Sequence, residues 1–439
     1  MEILIKASQF FLSLSILIIL HEMGHFIPAK LFKTKVEKFY LFFDPWFSLL
    51  KKKIGGTEYG IGWLPLGGYV KIAGMVDESM DKEQMKQEPK PWEFRSKPAW
   101  QRLIIMLGGV TVNVILAIVI YTGMMMYYGE EYLAMEDAKY GVVTDSTAQN
   151  IGLQNGDKVL TVDGKPIERF MHINKEILLS EQGAIVVQRG NEKVEVLLDD
   201  TDKRDLIQAK SALVAPRRPY VAGGFAKDSP ATTAGMLKGD SVYALNGKTM
   251  IFFDEYVDEI PAFAGNEITL SAMRDGKEVE FNVMVGEDGK IGVGAMPLDY
   301  FYKLSRNRYG FFDAIPAGIK MSYNVLGDYI RQFKLIVNPK TEAYKEVGGF
   351  LMIADQFDPV WNWQKFWGFT AFLSVMLAFL NILPIPALDG GHVVFVLIEM
   401  ISGRKPSEKV LEYAQMVGFV ILLGLIVLAN GNDIIKLFN

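Results

Sequence analysis

The chain has 439 residues, half of them hydrophobic, with a formal net charge of −5 and a mean hydropathy of +0.16. Cysteine is absent, which excludes disulfides, iron–sulfur clusters, thiol proteolysis and cysteine-ligated zinc, and the acidic balance gives no footing for nucleic acid as a partner. Only four histidines are present, His21, His25, His172 and His392, so a metal site has to draw on these and on carboxylates.

The first long apolar run, Ile3 to Ile27, has only a weakly charged start. It runs into His21-Glu22-Met23-Gly24-His25 instead of a small-residue cleavage site, and so reads as a retained transmembrane helix rather than a signal peptide. Histidines at i and i+4 put two imidazoles about 40° apart on one helix face, where they can grip one metal ion. Glu22 lies about 100° around from His21, placed to act on a metal-bound water without ligating the metal. Three ionisable groups in an apolar span are costly, roughly 2.5–3.5 kcal/mol for a central charge on the insertion scale, and a zinc ion in a wet cavity offsets that cost. With zinc, Glu22 is the expected general base of peptide hydrolysis.

The loop from 29 to 102 is rich in lysine and arginine, including Lys30, Lys33, Lys35, Lys38 and Lys51 to Lys53, which places it in the cytoplasm by the positive-inside rule. Within it, Thr57 to Ile72 reads as β-hairpin strands with glycine turns around Gly67, Gly68 and Tyr69. Such a sheet could take up an unwound substrate as an added strand. A second span follows at 103–128, a third at 366–386 and a fourth at 413–430, before a tail at 431–439. Four spans leave both termini and the long segment between the second and third spans on the outer side. The segment 387–412 carries Leu388-Asp389-Gly390-Gly391-His392 and an apolar stretch too short to span.

The outer segment contains a repeat. Ala148 to Asp157 recurs as Ala231 to Asp240, and Asp163-Gly164-Lys165 recurs as Asn246-Gly247-Lys248, at a constant offset (235 minus 152 and 247 minus 164 agree). Two copies of one domain are expected, at 129–215 and 216–300, each with a tight turn at its Asp-Gly or Asn-Gly pair. Each copy resembles a PDZ domain of the bacterial type, which implies either peptide binding at a strand edge or a steric role that blocks access. Beyond them, in the linker 301–365, Ile315, Ile319, Leu326, Ile330 and Phe333 recur at helical spacing and predict an amphipathic helix packed on the PDZ pair or lying on the membrane.

A catalytic zinc takes three protein ligands and keeps one position open. Asp389 is the expected third ligand and His392 the rival; His172, in the first repeat, reads as a surface residue. Asn113 and Asn381 are polar groups in apolar spans, placed to satisfy an opened substrate backbone or to tie helices together.

Taken with Asn381-x-x-Pro384-x-Pro386-x-Leu388-Asp389-Gly390-Gly391, the His21 to His25 motif resembles the site-2 protease family of intramembrane zinc metalloproteases. Tandem PDZ domains between the second and third spans resemble its RseP (regulator of sigma-E protease) type. The resemblance covers nearly the whole chain. It implies a polytopic α-helical membrane protein with four transmembrane helices, a membrane-associated β-sheet and two extracytoplasmic PDZ domains, in the bacterial inner membrane with termini and PDZ domains on the periplasmic side. It implies zinc on His21, His25 and Asp389, Glu22 as base, and Asn381 in substrate binding. The implied partners are membrane lipid and single-span membrane proteins, of the anti-sigma-factor type or remnant signal peptides, cut after a first protease; the enzyme is expected as a monomer. Where the family's second span has Gly-Pro-x-x-Asn, this chain has Gly109-Val110-Thr111-Val112-Asn113, which leaves the helix shape open at that point. A non-catalytic PDZ-bearing peptide receptor is the alternative, and the intact Glu22 beside both histidines argues against it.

Overall fold

The computed structural model describes residues 1–65, 67–75, 88–209 and 212–438, which fall into two compact units. The first comprises 1–129, 308–334 and 344–439; the second comprises 130–307 and 335–343.

The first unit opens with helix α1 (Glu2–Leu31). A four-stranded sheet follows, of β1 (Val36–Leu41), β2 (Phe43–Ile54), β3 (Thr57–Leu64) and β4 (Tyr69–Ile72), in the order β2-β3-β1-β4. Strands β2 and β3 form a hairpin through Gly55-Gly56, both with positive φ. The expected hairpin joining β3 to β4 is replaced by a different pairing: β1 lies between them, parallel to β3 and antiparallel to β4. Alternation within 57–72 revealed the strands but carried no trace of the partner that arrives from upstream. Among the described residues β4 pairs only with β1, so it is an edge strand. Helix α2 (Ala99–Tyr127) then runs unbroken through Val110, as expected where no proline removes a backbone donor.

The second unit holds the repeat. In the first copy a sheet has the order β10-β9-β7-β8, from β7 (Lys158–Val162), β8 (Lys165–Pro166), β9 (Ala184–Arg189) and β10 (Glu192–Leu197). It is accompanied by β6 (Val142–Thr144) paired with β11 (Val214–Pro216) and by helix α3 (His172–Leu178). The second copy repeats this order with β13 (Ser241–Leu245), β14 (Lys248–Thr249), β15 (Glu267–Arg274) and β16 (Lys277–Met284). The pair β12 (Ala222–Phe225) and β17 (Val293–Ala295) and helix α4 (Phe253–Glu259) complete it. The turn dipeptides Asp163-Gly164 and Asn246-Gly247 both have positive φ at both residues, the conformation that hairpin turns of this length require. The Gly-Asp of the repeated motif is structural: Asp157 and Asp240, each 1% exposed, receive two hydrogen bonds from Arg189 and Arg274 respectively. Each copy has its own apolar core, around Ile173 and Ile185 in the first and Tyr256 and Leu270 in the second. Arg217 joins them, pairing with Asp254 and Glu255, while Asn155 donates to Asp254. The strands β5 (Glu130–Tyr132) and β18 (Ser305–Asn307) pair, so the chain enters and leaves this unit side by side.

The chain returns to the first unit in helix α5 (Phe311–Val337), whose last residues count with the second. The predicted amphipathic helix is present, but its packed face follows the predicted stripe only in part: Leu326 packs and Phe333 meets the ring of Phe379. Ala314, Gly318 and Ser322 are buried, Gly318 meeting Thr122 of α2, whereas Ile315, Ile319 and Ile330 are exposed. It packs on the apolar bundle of the first unit through Met321, Val325 and Leu326. Between apolar helices, small residues permit close approach. A short helix α6 (Phe350–Asp355) precedes α7 (Trp363–Ile382), α8 (Asp389–Ser402) and α9 (Glu408–Phe438). Among the described residues four helices are long and apolar enough to cross a membrane: α1, α2, α7 and, over Lys409–Lys436, α9. The expected short stretch after the third span is α8, 14 residues long and not itself among the four.

Candidate metal centre

The centre sits where α1, α2 and the loop between α7 and α8 converge. Gly24 of α1 and Gly108 of α2 touch backbone to backbone; a Cβ on either would overlap the other's carbonyl. Next to that crossing, Gly109 lies so close to the rings of His21 and His25 that a Cβ there would overlap both. The glycines of α2 thus let the histidine face of α1 settle onto the helix.

Asp389 arrives by a tight path. Ala387 has a φ of 86°, a left-handed conformation that costs a non-glycine residue roughly 1–2 kcal/mol. Gly390 and Gly391 press against the carbonyls of Ile382, Leu383 and Ile385, with no space for a side chain. The turn sets Asp389 at the first residue of α8, with Oδ2 3.4 Å from Nε2 of His21 and 3.3 Å from Nε2 of His25. The two Nε2 atoms are 3.3 Å apart. Three donor atoms therefore form a nearly equilateral triangle.

That triangle fits a zinc ion. Ligand atoms ~2.0–2.1 Å from a tetrahedral zinc lie ~3.3–3.4 Å from one another, and two imidazoles with one carboxylate are a zinc donor set that leaves a fourth position open. Oδ2 of Asp389 is buried and has no hydrogen-bond donor, as a lone pair reserved for a cation requires. Among the described residues His21, His25 and Asp389 are the grouped donors able to hold an ion; His392 is not of the group, although it lines the adjoining cavity. His172 stands at the start of α3, in the other unit, partly exposed.

The cavity holds about 800 Å³ and is bordered by His21, Glu22, His25 and Asp389 on one side and by Gly68, Tyr69, Val70, Lys71 and Ile72 on another. Edge strand β4 thus borders the same cavity as the donor triangle. Glu22 and Val70 of that strand line the same cavity, with the backbone N–H of Val70 near the carboxylate. Gly67 has a φ of 147° and lies against the ring of Phe43, shaping the approach to β4. Asn381, in the last turn of α7, has its amide 3.5 Å from Nε2 of His21. Asn113 is 0% exposed, its amide 3.1 Å from Nδ1 of His21, and it is not among the residues that line the cavity.

Sequence reasoning did not find Ile105, whose carbonyl accepts from Nδ1 of His25 at 2.8 Å, because a backbone acceptor leaves no mark in residue type. Nor did it single out Gly24 and Gly108; only their spacing from the histidines and asparagine hinted at a close crossing.

A donor triangle shaped for zinc, with a carboxylate beside it and set among membrane-crossing helices, is the arrangement of a membrane metallopeptidase. The model of peptidase family M50 matches residues 9–425, and the chain belongs to this family, the site-2 proteases. It is 26% identical to a protein of Haemophilus influenzae named "Regulator of sigma E protease", over 100% of both chains. It is 28% identical to a "Putative zinc metalloprotease" of Neisseria meningitidis serogroup A and 29% identical to one of Rickettsia conorii, each over 98% of both chains. The chain is a multi-pass membrane protein and a zinc metalloprotease of this family.

Proposed function

We propose that His21, His25 and Asp389 hold the zinc ion and that Glu22 is the general base of an intramembrane protease. The observation that carries this reading is the 3.3–3.4 Å triangle of donor atoms. A zinc ion there supplies Lewis-acid polarisation of the scissile carbonyl and acidifies a water. Glu22 removes that water's proton as its oxygen adds to the carbonyl carbon, then delivers the proton to the departing amine nitrogen as the C–N bond breaks.

A helical substrate hides its carbonyls in hydrogen bonds, so it is unwound before it is cut. Strand β4 is the candidate clamp: it is an edge strand and borders the same cavity as the donor triangle and Glu22, where an extended segment could be added to it. Gly67, Gly68 and Tyr69 shape that edge, and Asn381 borders the reacting centre, available to a substrate backbone group. The substrates we assign are single-span membrane proteins of the anti-sigma-factor type, and remnant signal peptides, already shortened by a first cut. We read the repeated unit as two PDZ domains on the periplasmic side of the inner membrane that limit access by substrate size.

The test is a matched pair, wild type and Glu22→Gln, measured for zinc content and for cleavage of a single-span substrate. Zinc near one per chain in both, with cleavage reduced at least about a thousandfold in the variant, is expected. Undiminished cleavage by Glu22→Gln overturns the assignment of the base, and a zinc-free, inactive wild type leaves a peptide-reading receptor.

A further inference from the structure

Both imidazoles lean on α2, in different ways. Nδ1 of His25 lies 2.8 Å from the carbonyl oxygen of Ile105, so Nδ1 carries the proton and donates, and Nε2 keeps its lone pair for the donor triangle. His21 has the same need. Its Nε2 faces Nε2 of His25 and Oδ2 of Asp389, so the proton of the neutral ring belongs on Nδ1 and requires an acceptor.

The group beside that Nδ1 is the side-chain amide of Asn113, at 3.1 Å. Asn113 is 0% exposed, and its Oδ1 has no donor among the described residues. An acceptor buried without a donor is costly, and two N–H groups facing each other gain nothing. A half-turn of the amide about its last torsion exchanges its two ends and brings Oδ1 to His21, where Nδ1–H donates to it. Ile105, Gly109 and Asn113 are spaced by four on α2, so one helix row supplies an acceptor for His25, a gap for both rings and an acceptor for His21. The backbone carbonyl of Asn113 accepts from Ser374 Oγ at 2.8 Å, which fixes this turn of α2 against α7.

We propose that Asn113 is a positioning residue: it accepts a hydrogen bond from Nδ1–H of His21 and thereby fixes that ring's tautomer and orientation toward the metal. This rests on the zinc reading given above. It separates Asn113 from substrate binding, since its effect passes through His21.

The experiment compares full-length wild type, Asn113→Asp and Asn113→Leu, purified in detergent, by chelator competition for bound zinc and by kinetics on a single-span substrate. Asp keeps an acceptor and lacks the amide N–H; Leu keeps the volume and lacks both. Expected are zinc affinity within about threefold of wild type for Asn113→Asp and about 10- to 100-fold weaker for Asn113→Leu, the usual range for losing a ligand's hydrogen-bond partner. KM should be unchanged in both once zinc is saturating. If Asn113→Leu fails to fold, the Asp variant decides alone, because zinc loss there would mean that an amide donor was needed and would overturn the proposal. Wild-type affinity in a folded Asn113→Leu, or a raised KM with zinc affinity unchanged, overturns it as well. A wild type that binds no zinc overturns the metal reading and this inference together, whereas a zinc-binding wild type with unaffected variants overturns the inference alone.

Discussion

Gly24 and Gly108 meet backbone against backbone, and this contact sets how closely the histidine face of α1 approaches α2. Adding one methyl group at either position pushes the helices apart at the metal centre. Gly24→Ala and Gly108→Ala are expected to lower zinc occupancy to background and activity by more than about a hundredfold, since displacements of ~1 Å already cost that much. Gly123→Ala on the same helix α2, where a Cβ meets nothing within 4 Å, serves as control and should keep both. Metal analysis of the three purified variants checks this.

Asp389 contributes the carboxylate of the donor triangle, and its Oδ2 has no other partner. Asp389→Asn keeps the shape and removes the charge. Zinc affinity in chelator competition should fall by more than about a hundredfold, because a neutral amide is a poor zinc ligand. His392→Asn, one turn further along α8, should keep zinc within a few-fold of wild type. Equal loss in both variants would return His392 to the ligand set.

The edge-strand clamp is tested at Val70, in edge strand β4, which lines the cavity together with Glu22. Proline is tolerated on edge strands where its missing N–H faces away from the sheet. Val70→Pro should retain full zinc content and lose at least about tenfold in kcat/KM on a single-span substrate. Unaltered turnover would sink the clamp.

Each repeat carries a buried aspartate with a bidentate arginine, Asp157 with Arg189 and Asp240 with Arg274. Removing Arg274 leaves the buried Asp240 charge without its partner, so Arg274→Met should destabilise the second copy. Faster hydrogen exchange in β15 and β16 of the full chain reports it. Burial raises the Asp240 pKa, but the Arg274 hydrogen bonds and the Leu237 amide outweigh it, and the net shift is below the ordinary 3.8. The pair's contribution is therefore fully present above that value and is lost as the pH falls through the lowered one. The same exchange measured at falling pH should show protection of β15 and β16 declining below about pH 4 in wild type and much less in Arg274→Met.

Glu130 pairs with Asn307 in register, so the repeated unit can be cut out where its two ends already adjoin. Replacing 133–304 by a short turn should leave zinc content unchanged and admit substrates that have not had their first cut. Persisting dependence on the first cut would argue against the size filter.

The chemistry was legible in the order of residues because metal binding and membrane crossing leave local marks. His21 and His25 share a helix face by their spacing alone, the apolar runs announce four spans by length, and a constant offset exposes two copies of one domain. Asp389 was within reach too, since paired glycines after an acidic residue mark a tight turn. The tertiary structure alone decided what depends on distant backbone meeting. The insertion of β1 between β3 and β4, the glycine crossing of α1 and α2, and the carbonyl of Ile105 behind His25 involve groups whose residue type says nothing about their partner. The same holds for α5, where Leu326 and Phe333 of the predicted stripe pack but its isoleucines are exposed and Ala314, Gly318 and Ser322 are buried instead: periodicity shows which side chains align, and only the neighbouring surface determines which side is buried.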